Sequence, residues 1–259
     1  MIKALLARIK FGNRTIGFPD EPPVLPERFR GYPQIGPENC PDGCLECLQA
    51  CPTEAIKIED SHPIIDIGRC LFCRECEEAC PSELIRFGDD FSLAANRHAD
   101  LLIRHNSEKV LARRLNNEML RLFKRSLRLR QVSAGGCNGC EVEVNVLGTI
   151  VYDLGRFGIQ FVASPRHADG LLITGPVTEN MKLALQKTYD AVPDPKIVIA
   201  VGACAISGGP YIDHPQVHNG ADNILPVDLY IPGCPPHPIT ILDGLLRLLA
   251  KIPADGYSK

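Results

Sequence analysis

Apolar positions fall into two regimes along this chain. In the second half, "IQFVA", "GLLIT", "KIVIAVG" and "VDLYIPG" are short, unbroken apolar runs rich in β-branched residues. That pattern predicts strands buried on both faces. "SLRLRQVS", just ahead of them, is expected to be the first strand of the same sheet. Helical stretches are expected near 141–156, 178–190 and 236–251, and strands alternating with helices predict a parallel, doubly wound sheet. Between residues 40 and 90 the runs shorten to alternating segments such as "AIKIE" and "PIIDI", which predict half-buried strands. Near the start, Ile2, Leu5 and Ile9 recur at near-helical spacing with Lys3, Arg8 and Lys10 elsewhere, so a short amphipathic helix is expected. The tract "FPDEPPVLPERFRGYP" follows, and its prolines favour extended chain lying along another surface. A free tail needs neither Phe29 nor Tyr32, so the tract is expected to clamp a partner subunit or a membrane surface. "SEKVLARRLNNEMLRLF" predicts a helix capped by Ser107, with Leu111, Leu115 and Leu122 on one face.

An internal repeat organises the first half. "CPTEAIKI", Cys51 to Ile58, matches "CPSELIRF", Cys80 to Phe87, at an offset of 29 residues. Cys44 with Cys73, and Cys47 with Cys76, keep that offset, whereas Cys40 to Cys70 is 30. One extra residue therefore sits in the first motif, inside "CPDGC". Four segments are expected: a docking segment over 1–39, a small cysteine-rich domain over 40–90, a helical basic connector over 91–130, and an α/β domain over 131–259.

Composition narrows the chemistry. The chain has 259 residues and a net charge of −3, which gives no reason to expect nucleic acid. Residues 104–130 carry nine Lys or Arg and two acids, read as a solvated basic face, with an acidic or RNA-like partner as the alternative. The longest apolar runs fall short of the roughly 20 residues that span a bilayer. Twelve cysteines matter most. "MIKALLARIKFGNR" lacks the continuous apolar core of a secretory signal, and the cysteines cluster at metal-ligand spacing, so thiolates are expected rather than disulfides.

Cys70, Cys73, Cys76 and Cys80 follow one another with gaps of two, two and three residues, and Pro81 comes next. This is the run that holds 4Fe–4S clusters in bacterial ferredoxins, where the fourth cysteine serves the other cluster. By that rule Cys70, Cys73, Cys76 and Cys51 hold one cluster, and Cys40, Cys44, Cys47 and Cys80 the other. Zinc is the competing metal, disfavoured by a duplicated four-cysteine run followed by proline. In the second half, Cys137 and Cys140, Cys204 and Cys234 each follow a predicted strand. All four are expected at the carboxyl ends of a parallel sheet, where open α/β sheets bind ligands. Gly135, Gly136, Gly139, Gly202 and Gly233 are expected to let backbone approach a third cluster and donate N–H groups to its sulfurs. Buried free cysteines are the plain alternative.

With these motifs in hand, residues 26–90 resemble the two-cluster ferredoxin subunit of respiratory complex I and of membrane-bound hydrogenases. Residues 131–251, through "GGCNGCEVEVN", "GACAISGG" and "PGCPPHP", resemble the small, cluster-bearing subunit of the same assemblies. Complex I small subunits carry adjacent cysteines at the first motif. Here Asn138 and Gly139 separate Cys137 from Cys140, which resembles nickel–iron hydrogenase small subunits of the energy-converting and formate hydrogenlyase-like type. The resemblance implies an α+β two-cluster ferredoxin domain joined to a flavodoxin-like α/β domain, with three 4Fe–4S clusters. It makes Cys137, Cys140, Cys204 and Cys234 ligands of the cluster proximal to a nickel–iron site in a separate large subunit. It implies electron transfer without a catalytic site of this chain's own. The implied partners are that large subunit or its complex I-like counterpart, membrane subunits, and a ferredoxin or formate dehydrogenase-type electron partner, at the cytoplasmic face of the inner membrane. The alternative is the same subunit in a quinone- or ferredoxin-oxidising complex without hydrogen chemistry. Glu143 matches the family's acidic position, with proton transfer or potential tuning as its expected role and a helix-terminal acid as the plain alternative. His237, beside Cys234, is expected either to hydrogen-bond a cluster sulfur or to be a surface histidine.

Overall fold

The computed structural model describes residues 2–12 and 14–252. The segments expected over 1–39 and 131–259 therefore include residues 1, 13 and 253–259, which lie outside the described residues. The chain opens with helix α1 (Ile2–Phe11), as its spacing predicts, and every residue of it is exposed. The Pro-rich tract then lies along this chain's own body. Ile16 N–H donates to Val151 O at 2.9 Å. Phe18 is buried against Phe91, and its carbonyl accepts from Arg156 at 2.6 Å. Phe29 meets the ring of His237 edge-on.

The duplicated motif builds two small antiparallel sheets. Strand β1 (Pro33–Ile35) precedes the first cysteine, and α2 (Glu46–Ala50), β2 (Ile56–Glu59) and β3 (His62–Asp66) follow it. The second copy supplies α3 (Glu75–Ala79) and β4 (Ile85–Phe87). β4 pairs with β1, while β2 pairs with β3, which also pairs with β5 (Leu102–Ile103). Both sheets thus take a strand from outside residues 40–90. The extra residue of the first motif sits in the Pro41–Cys44 turn, where Cys44 N–H reaches Pro41 O and Gly43 takes φ +73°.

The connector departs from expectation. Residues 108–116 are not helical. Their backbone donors go elsewhere: Ala112 N–H to Ala94 O, Arg113 N–H to the Asn96 side chain, and Leu115 N–H to Leu248 O. Ser107 instead bonds locally to Arg104. Helix α4 (Asn117–Phe123) starts late, capped by Asn116, whose side chain accepts from Met119 N–H at 2.9 Å. Leu115 and Leu120 are buried, whereas Leu122 is exposed. Tertiary hydrogen bonds outweigh a weak helical preference here.

The second half is a five-stranded sheet, β6 (Leu127–Ser133), β7 (Ile159–Phe161), β8 (Gly170–Thr174), β9 (Ile197–Val201) and β10 (Leu229–Ile231). Its spatial order is β10-β9-β8-β6-β7 and every pairing is parallel. Taken in chain order within the sheet, that is 2-1-3-4-5, with the switch point between β6 and β8. β8 and β9 are buried at every residue, which is why their sequences read as continuous apolar runs. α6 (Glu179–Asp190) packs Leu185 against Leu171, Ile173 and Val198 on one face. On the other face, α5 (Gly139–Val146) and α8 (Pro238–Leu248) cover Leu129, Leu172, Ile199 and Val201. α5 stops well short of the helix expected over 141–156; turns and a 3-10 turn, Leu154–Phe157, follow it.

α8 is buried along its whole length, between the sheet and a cover that includes Phe18, Ala94 and Leu115. It carries a buried ion pair, Asp243–Arg247 at 2.9 Å, bridged by Ser92. The two halves are joined by more than the chain. Ala95 and Tyr230 exchange two backbone bonds along the β10 edge, and Ser207 donates to Gly68 O at 3.0 Å.

Candidate metal centres

Strand register positions the third cysteine group. Ser133, Thr174, Val201 and Ile231 lie level across β6, β8, β9 and β10. The chain leaves each of these strands at the same edge of the sheet. Cys204 and Cys234 come three residues past their strands, and Cys137 four past its own. Cys140 and Cys204 then lie in the first turns of α5 and of α7 (Ala203–Ser207). Cys140 has Cys204, Cys234 and Cys137 as its charge neighbours. Cys140 and Cys204 are buried, whereas Cys137 and Cys234 are exposed. Backbone at this site sits closer than any side chain would permit. At Gly202, φ +89° and ψ 155°, an added Cβ would lie 2.4 Å from Cys140 Sγ. A Cβ on Gly135, Gly136 or Gly233 would instead meet Thr178, Gly175 and Pro236 respectively.

In the first half the four thiols Cys51, Cys70, Cys73 and Cys76 line one enclosed cavity, walled by Ile56, Ile65 and Phe87. The lone member from the first motif, Cys51, thus faces three from the second. The reciprocal group forms around Cys47, whose charge neighbours are Cys80, Cys40 and Cys44. The repeat survives in the hydrogen bonds: Ala55 N–H donates to Cys51 Sγ at 3.2 Å and Leu84 N–H to Cys80 Sγ at 3.3 Å. Phe72 N–H donates to Cys70 Sγ at 3.2 Å.

Burial, and then mutual repulsion, raises the buried thiols Cys47, Cys76 and Cys204. Cys47 is pushed up to about 11 by burial and then by Cys80. Cys76 rises to about 12 by burial and then by Cys51, and Cys204 to about 12 by burial and then by Cys234. Four thiolates can share such a site only if positive charge arrives with the ligand, which the irons of a cluster supply. Backbone donors on sulfur and glycine backbone against a thiol are what a bound cubane requires of its cradle. The residues fit the group.

Each group borders the next. Cys234 has Cys73 within its charge environment, and Cys76 has Cys47. Arg30, from the Pro-rich tract, donates to Phe72 O at 3.0 Å and Cys73 O at 3.2 Å, and lines the same cavity as Cys234. The tract therefore ties the second cysteine loop to the α/β half.

Two acids take different places on α5. Glu143 lines the inter-half cavity with Cys234, His237 and Phe29, and burial raises its pKa. Glu141, given no separate role by the sequence, is buried and accepts from Ser133 Oγ at 2.6 Å and Thr174 Oγ1 at 2.7 Å. It lies in the charge environment of Cys140 and Cys204. Its partners are the last residues of β6 and β8, a juxtaposition only the fold creates. His237 caps α8, its Nδ1 accepting from Ile239 N–H at 3.2 Å. The ring is half-buried, which lowers its pKa.

Known proteins resemble both halves of the chain. A family described as the NADH ubiquinone oxidoreductase 20 kDa subunit matches residues 137–248, and a 4Fe–4S dicluster domain matches residues 32–106. A probable membrane-bound hydrogenase subunit of Pyrococcus furiosus is 42% identical over 148 residues, 57% of this chain and 89% of that protein. Formate hydrogenlyase subunit 7 of Escherichia coli is 48% identical over 134 residues, 52% of each chain. An NADH-quinone oxidoreductase subunit of Clostridium beijerinckii is 51% identical over 114 residues, 44% of this chain and 68% of that one. Fold, thiol groups and relatives together define an iron–sulfur electron-transfer subunit of an oxidoreductase. The chain belongs to the 20 kDa subunit family, carried here behind a 4Fe–4S dicluster domain.

Proposed function

We propose that this chain carries three 4Fe–4S clusters and works as the electron-relay subunit of a membrane-associated nickel–iron hydrogenase of the energy-converting or formate hydrogenlyase-like type. Cys40, Cys44, Cys47 and Cys80 hold the first cluster in a bacterial-type ferredoxin domain. Cys51, Cys70, Cys73 and Cys76 hold the second. Cys137, Cys140, Cys204 and Cys234 hold the third, at the edge of a flavodoxin-like sheet. When bound, the clusters supply one-electron transfer, with potentials set by burial and hydrogen bonds to sulfur. The single observation that carries the relay is the adjacency of successive thiol groups, in which Cys234 neighbours Cys73 and Cys76 neighbours Cys47.

The chain's own residues do the rest. Ala55, Leu84 and Phe72 donate backbone N–H groups to thiols. Arg30 fixes the second cysteine loop by its carbonyls. Exposed Cys137 and Cys234 put the third site at a surface, where a large subunit bearing the nickel–iron centre would dock. Among the described residues no helix is long and apolar enough to cross a membrane. The reading places the chain on the cytoplasmic face of the inner membrane, held by membrane subunits. A ferredoxin or formate dehydrogenase-type protein would meet the first cluster.

The second reading is a complex I-like quinone- or ferredoxin-oxidising complex, favoured by the identity to the NADH-quinone oxidoreductase relative. The two-residue gap between Cys137 and Cys140 weighs against it. The deciding experiment isolates the intact complex anaerobically and exposes it to hydrogen. Nickel in the complex and cluster reduction by hydrogen are expected. A nickel-free complex whose clusters ignore hydrogen but reduce with a quinol or ferredoxin would move the assignment to the second reading.

A further inference from the structure

Helix α1 stands apart from the packed body of the described residues. All of Ile2–Phe11 is exposed, and Ile2 (75%), Leu5 (62%), Leu6 (58%) and Ile9 (73%) are large apolar side chains in water. These four fall within an arc of roughly 100° at the α-helical repeat. Lys3 and Lys10 flank one side of that stripe and Arg8 the other. Arg14 follows, and the first acidic residue of the chain is Asp20.

The anchor of the helix extends the same character. Thr15 Oγ1 and Ile16 N–H bond the carbonyls of Ile150 and Val151 at 2.8 and 2.9 Å. Ile150 and Val151 are themselves exposed, at 72% and 39%. Phe18 then locks the chain into the core. A short tethered helix with an apolar stripe, cations on both flanks and no acid matches one surface chemistry. The stripe enters an acyl layer while long basic side chains reach up to headgroups.

We propose that α1, with Ile150 and Val151 at its root, seats this chain on a bilayer bearing anionic headgroups. A protein groove would accept the stripe but gives no reason for cations on both flanks without a single acid. An anionic surface accounts for both. The proposal rests on the reading that the chain works beside a membrane, yet its test leaves cluster content untouched, so the two can fail separately.

The experiment uses the full chain, purified anaerobically with its iron content recorded. It is floated with vesicles of phosphatidylcholine alone, or with one part in four phosphatidylglycerol, at low and raised salt. Flotation with the anionic vesicles only, weakening with salt, is expected. Leu5→Asp with Ile9→Asp is expected to abolish it. Lys3→Gln, Arg8→Gln and Lys10→Gln together are expected to weaken it by roughly a hundredfold, about fivefold per charge. Iron content is expected to stay constant in both variants. Equal flotation with neutral and anionic vesicles, or flotation indifferent to either variant, overturns the proposal. So does the absence of vesicle binding when the aspartate variant also loses its membrane partner subunits in detergent, because α1 then docks on protein. Self-association without vesicles that the aspartate variant abolishes overturns it in favour of a second copy.

Discussion

Gly202→Ala is the most informative single change at the third site. Gly202 combines φ +89° with ψ 155°, a region that essentially only glycine occupies, so an alanine there costs on the order of 1–3 kcal/mol in backbone strain. Sterics add to that. The new Cβ would lie 2.4 Å from Cys140 Sγ, against roughly 3.5–4.0 Å for unstrained contact. The sulfur has to retreat by about 1 Å or more, whereas metal–ligand distances hold to about 0.2 Å. Cys140 is therefore expected to leave the proposed third cluster. Gly43→Ala is the matched control, because Gly43 also has positive φ, +73°, but nothing within 4 Å of the added atom. It is expected to cost on the order of 1 kcal/mol and to spare the third site. The assay is iron per chain with low-temperature EPR of the reduced protein. Gly202→Ala is expected to lose about four irons and one signal, the content of one cubane. Full iron with an unaltered spectrum in Gly202→Ala would refute the placement of Cys140 as a ligand.

Other changes probe separate parts of the structure. Cys51→Ala is expected to disturb the EPR signal of the cluster at Cys70, Cys73 and Cys76, since Cys51 lines their cavity; loss confined to the other ferredoxin cluster would contradict the crossed arrangement. Arg247→Met leaves Asp243 buried without its guanidinium, a loss of about 3–5 kcal/mol. It is expected to lower the apparent melting temperature far more than the double replacement Asp243→Leu with Arg247→Met. The Asp66 carboxylate, 3.6 Å from His98 Nε2, raises the His98 pKa. The stability this pair contributes is therefore fully present below the ordinary histidine range and lost as pH rises through the raised value. Melting followed from pH 6 to 9 is expected to show that loss in the native chain and a flatter profile in His98→Gln.

Much of the fold is written in local pattern. β8 and β9 are buried on both faces and read as unbroken Leu, Ile and Val, so their sequence admits little else. The cysteine repeat is similarly legible, because cluster geometry dictates spacing and the 29-residue offset reappears in the bonds to Cys51 and Cys80. What local pattern does not hold is the destination of a hydrogen bond. Residues 108–116 carry a helix-like leucine spacing, yet their donors go to Ala94, Asn96 and Leu248, each far away or across the fold. Phe29 and Tyr32 mark the Pro-rich tract as one that lies on something, but not that the surface is the same chain. Glu141 and Glu143 are near-identical in sequence context. Their divergence, one held by Ser133 and Thr174 and the other facing a cavity, follows from α5 being a helix over two strand ends.

Iron and acid-labile sulfide, measured on anaerobically purified native chain, test the central claim most directly. Three cubanes require about twelve of each per chain. A value near eight would contradict the count of three clusters, and zinc in place of iron would contradict the electron relay altogether.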